Sequence, residues 1–304
     1  MIYTVTLNPA LDYIMRLDNL SSDDINRAKT AEILYGGKGI NVSLLLKELE
    51  LPTKALGFIA GFTGRGMDDM LKADGIETDF VELPEGNTRI NVKIFAQEQF
   101  DVNAPGPKVT DEDVKKFFAT LDQLKIGDTL VMAGAVPGSM PQDIYEKIMA
   151  HLQGRGIRMV VDTTGEGLLK VLPYKPFMIK PNHHELSELF NDDVKSTDDD
   201  KIVKYAKKLQ EMGAVNVLVS RGKCGATLVD EFGNVHTAGI APGKPVNNVG
   251  CGDSMVAGFV AGYETKQDYD YALRLGSAAG NASAFVDGIA KREGILSMLE
   301  TYFS

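Results

Sequence analysis

Residues 250–258 read GCGDSMVAG, a Gly-x-Gly-Asp turn that runs directly into a stretch of small apolar residues with helical character. Glycines allow a tight turn whose backbone amides point into one space. A helix that starts there adds unpaired amides and the positive end of its dipole, which together favour an anion. Asp253 on this turn places a proton acceptor beside the anion site, as phosphoryl transfer to an alcohol requires. A structural interpretation takes Asp253 as a helix cap on a glycine turn.

A second glycine-rich loop lies near the start of the chain, where residues 36–41 read GGKGIN and lead into a helical pattern at 42–49. Its glycines let the backbone approach a ligand closely. Lys38 supplies positive charge to this loop, and Asn41 supplies an amide. Two such loops in one chain indicate a binding site for a phosphorylated ligand more strongly than either loop alone.

Together the two loops resemble the two signatures of the ribokinase-like sugar kinases, in the phosphofructokinase B branch. The resemblance covers the whole chain, because TLNPALD at 6–12, KPNHHE at 180–185 and SRG at 220–222 follow the family's order. It implies a ribokinase-like three-layer α/β/α sandwich with a mostly parallel central sheet and a small β lid. It also implies one kinase domain over residues 1–304.

Apolar strand-like runs alternate with helical patterns, which predicts a parallel sheet covered on both faces. The predicted strands are 2–7, 54–58, 129–133, 158–162, 177–180, 215–220 and 226–229. The predicted helices are 42–49, 66–73, 111–124, 141–154, 197–212, 253–263 and 269–287. The alternation is broken by short strands at 13–17 and 29–35 and by a hairpin of 88–96 with 99–103. We expect them to form the lid, approximately residues 12–36 and 88–104, although two unrelated surface hairpins are the alternative.

The turn at 250–253 is expected to carry the chemistry. Asp253 would accept the proton of the attacking sugar hydroxyl, and the amides of Gly250, Cys251 and Gly252 would bind the γ-phosphate oxygens. The chain departs from the family at Cys251, where Ala or Ser is usual, and at Asn248, where Thr or Ser is usual. A thiol at a helix N-terminus favours the thiolate, which predicts a reactive Cys251; a sulfur packed inertly into the helix is the alternative.

On the sugar side, the resemblance implies that Asp12 accepts hydrogen bonds from sugar hydroxyls. The family's substrate loop is matched by Gly37, Lys38 and Asn41. Arg89 lies on the expected lid, where a guanidinium could clamp the existing phosphate of the sugar bidentately. Arg27 is a second candidate for that phosphate, and a solvated surface arginine is the alternative for both.

On the nucleotide side, the resemblance implies contacts from Lys180, Asn182, Ser220, Arg221, Gly222, Gly225 and Asn281. For Asn281, packing within a helix of small residues is equally supported. Glu185 is expected to organise Mg²⁺ through water, because Mg²⁺ keeps several waters and takes few protein ligands. The implied cofactors are therefore ATP and Mg²⁺.

The composition excludes several classes of protein. The net charge of −10 without a basic stripe argues against nucleic acid as a partner. No apolar run reaches about 18 residues, so no transmembrane helix is expected, and the first residues read as a strand rather than a signal peptide. Cys224 and Cys251 show no metal-type spacing and indicate a reducing compartment, the cytoplasm. No GxxxxGK[ST] motif is present, which excludes a P-loop kinase.

The run TRINVKI at 88–94 is similar to that of family members that phosphorylate fructose 1-phosphate. We therefore expect ATP-dependent phosphorylation of fructose 1-phosphate at its 6-hydroxyl, giving fructose 1,6-bisphosphate. Tagatose-6-phosphate kinase activity is the nearest alternative, because a ketofuranose carries a hydroxymethyl group at each end of its ring. A non-catalytic sugar-phosphate sensor is the alternative from another class. The expected partners are the sugar phosphate and ATP, with no nucleic acid or membrane, and a homodimer through the lid.

Overall fold

The computed structural model describes residues 1–246 and 250–303. Its strands are β1 Ile2–Thr6, β2 Ala10–Arg16, β3 Thr30–Gly36, β4 Thr53–Ala60, β5 Glu77–Leu83, β6 Arg89–Phe95, β7 Gln99–Val102, β8 Thr129–Ala133, β9 Arg158–Asp162, β10 Met178–Ile179, β11 Asn216–Ser220, β12 Ala226–Val229 and β13 Val235–Ala238. Its α-helices are α1 Lys38–Glu48, α2 Gly61–Ala73, α3 Asp111–Leu121, α4 Ile144–Leu152, α5 Gly165–Val171, α6 His183–Phe190, α7 Asp199–Glu211, α8 Cys251–Lys266, α9 Tyr269–Ala284 and α10 Arg292–Tyr302.

The large sheet has the strand order β13-β12-β11-β10-β9-β8-β1-β4-β5. Every pairing from β11 to β5 is parallel, and β12 and β13 add an antiparallel edge. The carboxyl ends of the parallel strands therefore meet at one edge of the sheet, where ligands bind in open α/β folds. The prediction of a mostly parallel sheet is confirmed.

Apolar cores cover both faces of this sheet. Along the fully buried β8, Leu130 and Met132 belong to one core and Val131 to the other. Such alternation is expected of a strand covered on both faces. Helices α8 and α9 pack closely, since a Cβ at Gly258 would lie 2.7 Å from the carbonyl oxygen of Leu275. The three-layer sandwich predicted from the sequence is confirmed.

A separate small sheet has the order β3-β2-β6-β7. One cross-strand row in it is entirely apolar or aromatic and consists of Ile33, Tyr13, Val92 and Val102. Because side chains alternate along strands, Asp12 and its neighbour Asn91 lie on the opposite face. The small β element predicted from the sequence is confirmed. That it closes over a sugar, and that residues 1–304 form one domain, stay predictions.

Several elements differ from the sequence patterns. The patterns missed β5, β13, α5, α6 and α10, which are short or partly exposed and so carry weak periodicity. Helix α4 begins at Ile144 rather than at Pro141, because Pro141 to Ile144 form a turn closed by an amide–carbonyl hydrogen bond of 3.1 Å. Within residues 1–246 and 250–303, no helix combines the length and apolarity needed to cross a bilayer.

Candidate active site

The two glycine loops meet at Asp253. Gly250 caps α8 with a left-handed backbone at φ 78°, a conformation that favours glycine. Asp253 lies in the first turn of α8 and is only 6% exposed. Its Oδ2 accepts a hydrogen bond of 2.9 Å from Nδ2 of Asn41 in α1. The packing of α1 against α8 therefore brings together the carboxylate and the amide that the sequence placed in separate motifs.

The surroundings of Asp253 weaken its acidity. Burial is the largest cause and raises its pKa from 3.8 to about 6, and the negative charge of Asp162 acts in the same direction. The hydrogen bond from Asn41 and the charges of Lys38 and Lys180 oppose this rise. A carboxylate whose pKa lies close to neutral is suited to accept a proton from an alcohol.

Asp162 joins two lysines beneath this turn, although the sequence reasoning did not single it out. Its Oδ2 accepts from Nζ of Lys38 at 3.1 Å, and its Oδ1 lies 3.5 Å from Nζ of Lys180. Burial alone would raise the pKa of Asp162, but the charges of Lys180 and Lys38 outweigh it and hold the pKa below its ordinary value. Asp162 ends β9, and a carboxylate at the carboxyl end of a parallel strand was the signal available in the sequence.

Lys180 lies directly against the glycine turn. A Cβ added to Gly252 would be 3.3 Å from Nζ of Lys180. The ammonium group, the N-terminal amides of α8 and the helix dipole therefore favour an anion at the same place. Lys38 contributes a further positive charge, and the carboxylates of Asp162 and Asp253 raise its pKa against the opposing effect of burial.

The prediction of a reactive Cys251 assumes that the helix N-terminus lowers the pKa of its thiol, and that assumption is wrong. Burial, the largest cause, raises the pKa of the Cys251 thiol, and the charge of Asp253 raises it further. A backbone hydrogen bond at the start of the helix lowers the pKa but does not outweigh burial. Asn248, the second departure from the family, lies outside the described residues.

The residues predicted for the sugar side lie on the polar face of the small sheet and in the loop before α1. Asp12 accepts hydrogen bonds of 2.8 Å from Asn91 Nδ2 and pairs at 2.8 Å with Lys93 Nζ, two residues that the sequence reasoning did not single out. Arg89 is half-buried and donates to the carbonyl oxygens of Asn8 and Ala104 at 3.1–3.3 Å. These bonds fix the guanidinium beside the polar face.

Two further sugar-side residues differ in their placement. Gly37 caps α1 directly before Lys38, so the substrate loop leads into α1 as expected. Arg27 is exposed in the segment between β2 and β3, and its side chain makes no hydrogen bond or ion pair with the described residues. The structure therefore brings Asp12, Gly37, Lys38 and Asn41 to the site and leaves Arg27 outside these contacts.

Among the residues predicted for the nucleotide side, Asn182 and Glu185 form the capping box of α6. The Asn182 side chain accepts from the amide of Glu185 at 2.9 Å, and Glu185 Oε2 accepts from the amide of Asn182 at 2.8 Å. Ser220 ends the neighbouring strand β11, and its amide donates to Pro181 at 3.0 Å. Lys180, Asn182 and Ser220 therefore lie at adjacent strand ends on the ligand-binding edge.

The side chains of Arg221 and Asn281 both make hydrogen bonds within the protein, and their contact with a nucleotide stays a prediction. The guanidinium of Arg221 donates to Ser196 and Thr227 and pairs with Asp199. Asn281 Oδ1 accepts from the amide of Ala241 at 3.0 Å, which links α9 to the chain after β13. Any nucleotide contact at Arg221 would then come from the turn that it anchors, which includes Gly222 and Gly225.

Residues 5–291 match the pfkB family of carbohydrate kinases, and the chain belongs to that family. It is similar to the 1-phosphofructokinase of Bacillus subtilis (strain 168), with 44% identity over 98% of this chain and 97% of the relative. It is 37% identical to the D-tagatose-1-phosphate kinase of Bacillus licheniformis, over 95% of this chain and 94% of the relative. It is also 33% identical to a tagatose-6-phosphate kinase of Staphylococcus epidermidis, over 93% and 92% of the two chains.

Solved structures agree with this assignment. Escherichia coli phosphofructokinase-2 in complex with substrates and products aligns with a TM-score of 0.92 and 27% identity, over 100% of this chain and 99% of that one. The tetrameric inhibited form of the same enzyme aligns with a TM-score of 0.89 over 98% of each chain, at 27% identity. Arabidopsis thaliana ribokinase, at 19% identity and a TM-score of 0.78 over 98% of each chain, has the same fold. The ribokinase-like fold is confirmed.

Proposed function

We propose that this kinase transfers the γ-phosphoryl group of ATP to the 6-hydroxyl of fructose 1-phosphate, giving fructose 1,6-bisphosphate and ADP. The observation that carries the chemistry is the buried Asp253 carboxylate on the glycine turn, bonded to Asn41 of the substrate loop at 2.9 Å. The choice of fructose 1-phosphate is supported by the similarity to the Bacillus subtilis 1-phosphofructokinase and by the run at residues 88–94.

The geometry suits a direct transfer. Asp253 accepts the proton of the 6-hydroxyl as that oxygen forms a bond to the γ-phosphorus. The bond from that phosphorus to the β–γ bridging oxygen breaks, and ADP leaves with the bonding electrons. The N-terminal amides of α8 with Lys180 face the negative charge on the transferred group. Such preorganised donors stabilise the transition state more than the ground state.

The residues present fit Mg²⁺ held mainly by water and by the phosphates of ATP. Within residues 1–246 and 250–303, no three His, Cys, Asp or Glu side chains converge to hold a metal directly. A Mg²⁺ ion needs no such cage, because it retains waters and takes one or two carboxylates. Glu185 would hold it through water, with one oxygen used by the capping box. When bound, the ion would neutralise phosphate charge.

Two other activities are alternatives. A ketohexose furanose presents a hydroxymethyl group at each end, so a relative that acts on tagatose 6-phosphate or on D-tagatose 1-phosphate can use the same fold. A non-catalytic sensor is the other alternative. A sensor without catalytic activity does not need a base, so the buried Asp253 carboxylate with its raised pKa on the anion-binding turn favours a kinase.

A substrate panel tests the proposal. ADP release with Mg-ATP would be measured for fructose 1-phosphate, fructose 6-phosphate, tagatose 6-phosphate, tagatose 1-phosphate and unphosphorylated fructose. We expect the highest kcat/KM for fructose 1-phosphate. A higher value for a tagatose phosphate would replace the substrate assignment, and no ADP release with any sugar would favour the sensor.

We further propose that two copies of the chain pair through the apolar face of the small sheet. Large apolar side chains on that face are exposed: Ile33 by 48%, Ile90 by 41%, Phe100 by 39% and Val102 by 61%. An exposed apolar patch of this kind marks an interaction surface. The face opposite carries Asp12, so pairing would leave the polar face directed to the sugar.

A further inference from the structure

The carboxylate of Asp12 is held at both oxygens by side chains of the neighbouring strand. Asn91 Nδ2 donates to Oδ1 at 2.8 Å, and the Lys93 ammonium lies 2.8 Å from Oδ2. Asp12 and Asn91 are direct partners in the parallel pairing of β2 with β6, and Lys93 follows on the same face. We call these three residues the Asp12 triad.

The triad is largely shielded from solvent. The side chains of Asp12 and Lys93 are 13% and 18% exposed, and Asn91 is 6% exposed. A carboxylate only accepts hydrogen bonds, so the amide nitrogen of Asn91 must face Asp12 and its oxygen must point away. That oxygen is buried and has no donor among the described residues. A buried acceptor left unpaired opposes folding, so Asn91 is better explained by what it does for Asp12 than by stability.

Charge explains the role of Lys93. An unpaired Asp12 carboxylate would repel a substrate that carries a phosphate dianion. The Lys93 ammonium cancels that charge at 2.8 Å, and Arg89 adds a positive charge two residues before Asn91 on the same face. Glu32 and Asp101, the second being the cross-strand partner of Lys93, lie on this face as well, so the compensation of Asp12 is local. Oδ1 of Asp12 accepts one hydrogen bond and Oδ2 pairs with one ammonium group, so both oxygens keep acceptor capacity for a sugar hydroxyl.

We propose that Lys93 and Asn91 are positioning residues that fix the Asp12 carboxylate and cancel its charge, so that the sugar site selects phosphorylated ketoses over neutral ones. The proposal deepens the function proposed above and rests on it. Lys93 acts here through Asp12, not through a bond to the phosphate. A structural salt bridge would instead affect all substrates alike.

A double-mutant cycle tests the proposal, with Lys93→Met, Asp12→Asn and the double variant. For each, kcat/KM would be measured for fructose 1-phosphate and for fructose, or a dissociation constant where turnover is too slow. Lys93→Met should lower the ratio of the two values on the order of tenfold or more, the scale of one uncompensated charge near an anion. In the double variant the ratio should return towards the wild-type value, because the carboxylate and the ammonium are lost together and the net charge is that of the wild type.

Two controls complete the design. Lys54→Met removes a lysine that pairs with Glu77 at 3.4 Å. Lys54 lies at the amino end of β4 in the large sheet, so this variant should leave the ratio unaltered. Asn91→Leu should raise KM for both sugars alike, because it misplaces Asp12 without changing charge. Melting temperatures would show that each variant is folded.

The outcomes separate the possible failures. An unchanged ratio in Lys93→Met would overturn the proposal in favour of a structural salt bridge. A ratio in the double variant as low as in Lys93→Met would overturn it in favour of a direct phosphate contact by Lys93. Failure of the wild-type protein to act on fructose 1-phosphate would instead refute the proposed function, and the cycle would be repeated with the sugar phosphate that the substrate panel identifies.

Discussion

Asp253 must be ionised to accept a proton, yet it lies where ionisation is unfavourable. Burial dominates and raises its pKa to about 6 despite the charges of Lys38 and Lys180. Such a conflict between stability and reactivity is common where a site is built for chemistry. It leads to two predictions at the scale of this residue.

The first concerns the pH dependence of turnover. Because the ionised form is the base, kcat/KM for the sugar should rise with pH through about 6, the pKa of Asp253, and then level off. The profile would be measured with Mg-ATP held saturating. A limb that rises near pH 3.8, the ordinary value for Asp, would show that burial does not control this group.

The second concerns stability. The neutral carboxyl favours the folded state, so this contribution is present below the unfolded pKa of 3.8 and is lost as pH rises through about 6. Asp253→Asn mimics the neutral form and can keep the bond to Asn41. We expect its melting temperature to exceed that of the wild type near neutral pH and to equal it below the unfolded pKa. A variant less stable than wild type at neutral pH would contradict the prediction.

For single residues, the sequence identified those candidate site residues that lie within a recognisable motif. Asp253 and Asn41 could be predicted because each lies in a glycine loop, and the structure places them 2.9 Å apart. Asp162 and Lys93 could not be identified in the same way. Their roles depend on the lysine and the carboxylate that folding brings to them, and spacing along the chain does not contain that information.

Among the elements, the N-terminus of α8 determines the anion site. Gly252 lies in its first turn with Lys180 beside it. The turn works because small residues let the amides and an ammonium group approach one point. One substitution in this element tests that arrangement.

Gly252→Ala should raise KM for ATP and lower kcat. The new methyl group would lie 3.3 Å from Nζ of Lys180, a tight contact that pushes the ammonium group away from the turn. The matched control is Gly66→Ala in α2, where a Cβ would meet no atom within 4 Å and helix propensity favours alanine. The measurement is steady-state kinetics with ATP varied. Equal values of kcat and of KM for ATP in the two variants would contradict a role for Lys180 in the anion site.

Burial made the central strands predictable, although the largely exposed strands β3 and β7 of the small sheet were predicted too. The fully buried β8 was predicted with its observed bounds, whereas the partly exposed edge strand β5 was missed. Helix α6 was also missed, since it has only eight residues and its start is set by the Asn182 capping box. Edge strands and short helices depend on tertiary contacts that periodicity does not reveal.

For the whole molecule, the apolar face of the small sheet predicts self-association. Val102→Glu places a charge on the most exposed apolar residue of that face, whose side chain is 61% exposed. We expect the wild type to sediment as a dimer or larger assembly and the variant to shift towards the monomer. Equilibrium sedimentation would measure this. Ile126→Glu, at an apolar residue that is 84% exposed and lies outside the small sheet, is the control for added charge alone. A monomeric wild type would contradict the prediction.

The central claim is that Asp253 on the anion turn acts as the base while the γ-phosphoryl group of ATP moves directly to the 6-hydroxyl of fructose 1-phosphate. Phosphorus NMR of the reaction of wild type and Asp253→Asn with Mg-ATP and fructose 1-phosphate tests it most directly. We predict a new phosphate monoester at carbon 6 in step with ADP, and a loss of about 10²–10⁴ in kcat for the variant. ADP without the bisphosphate, transfer to another carbon, or a variant as fast as wild type would contradict the claim.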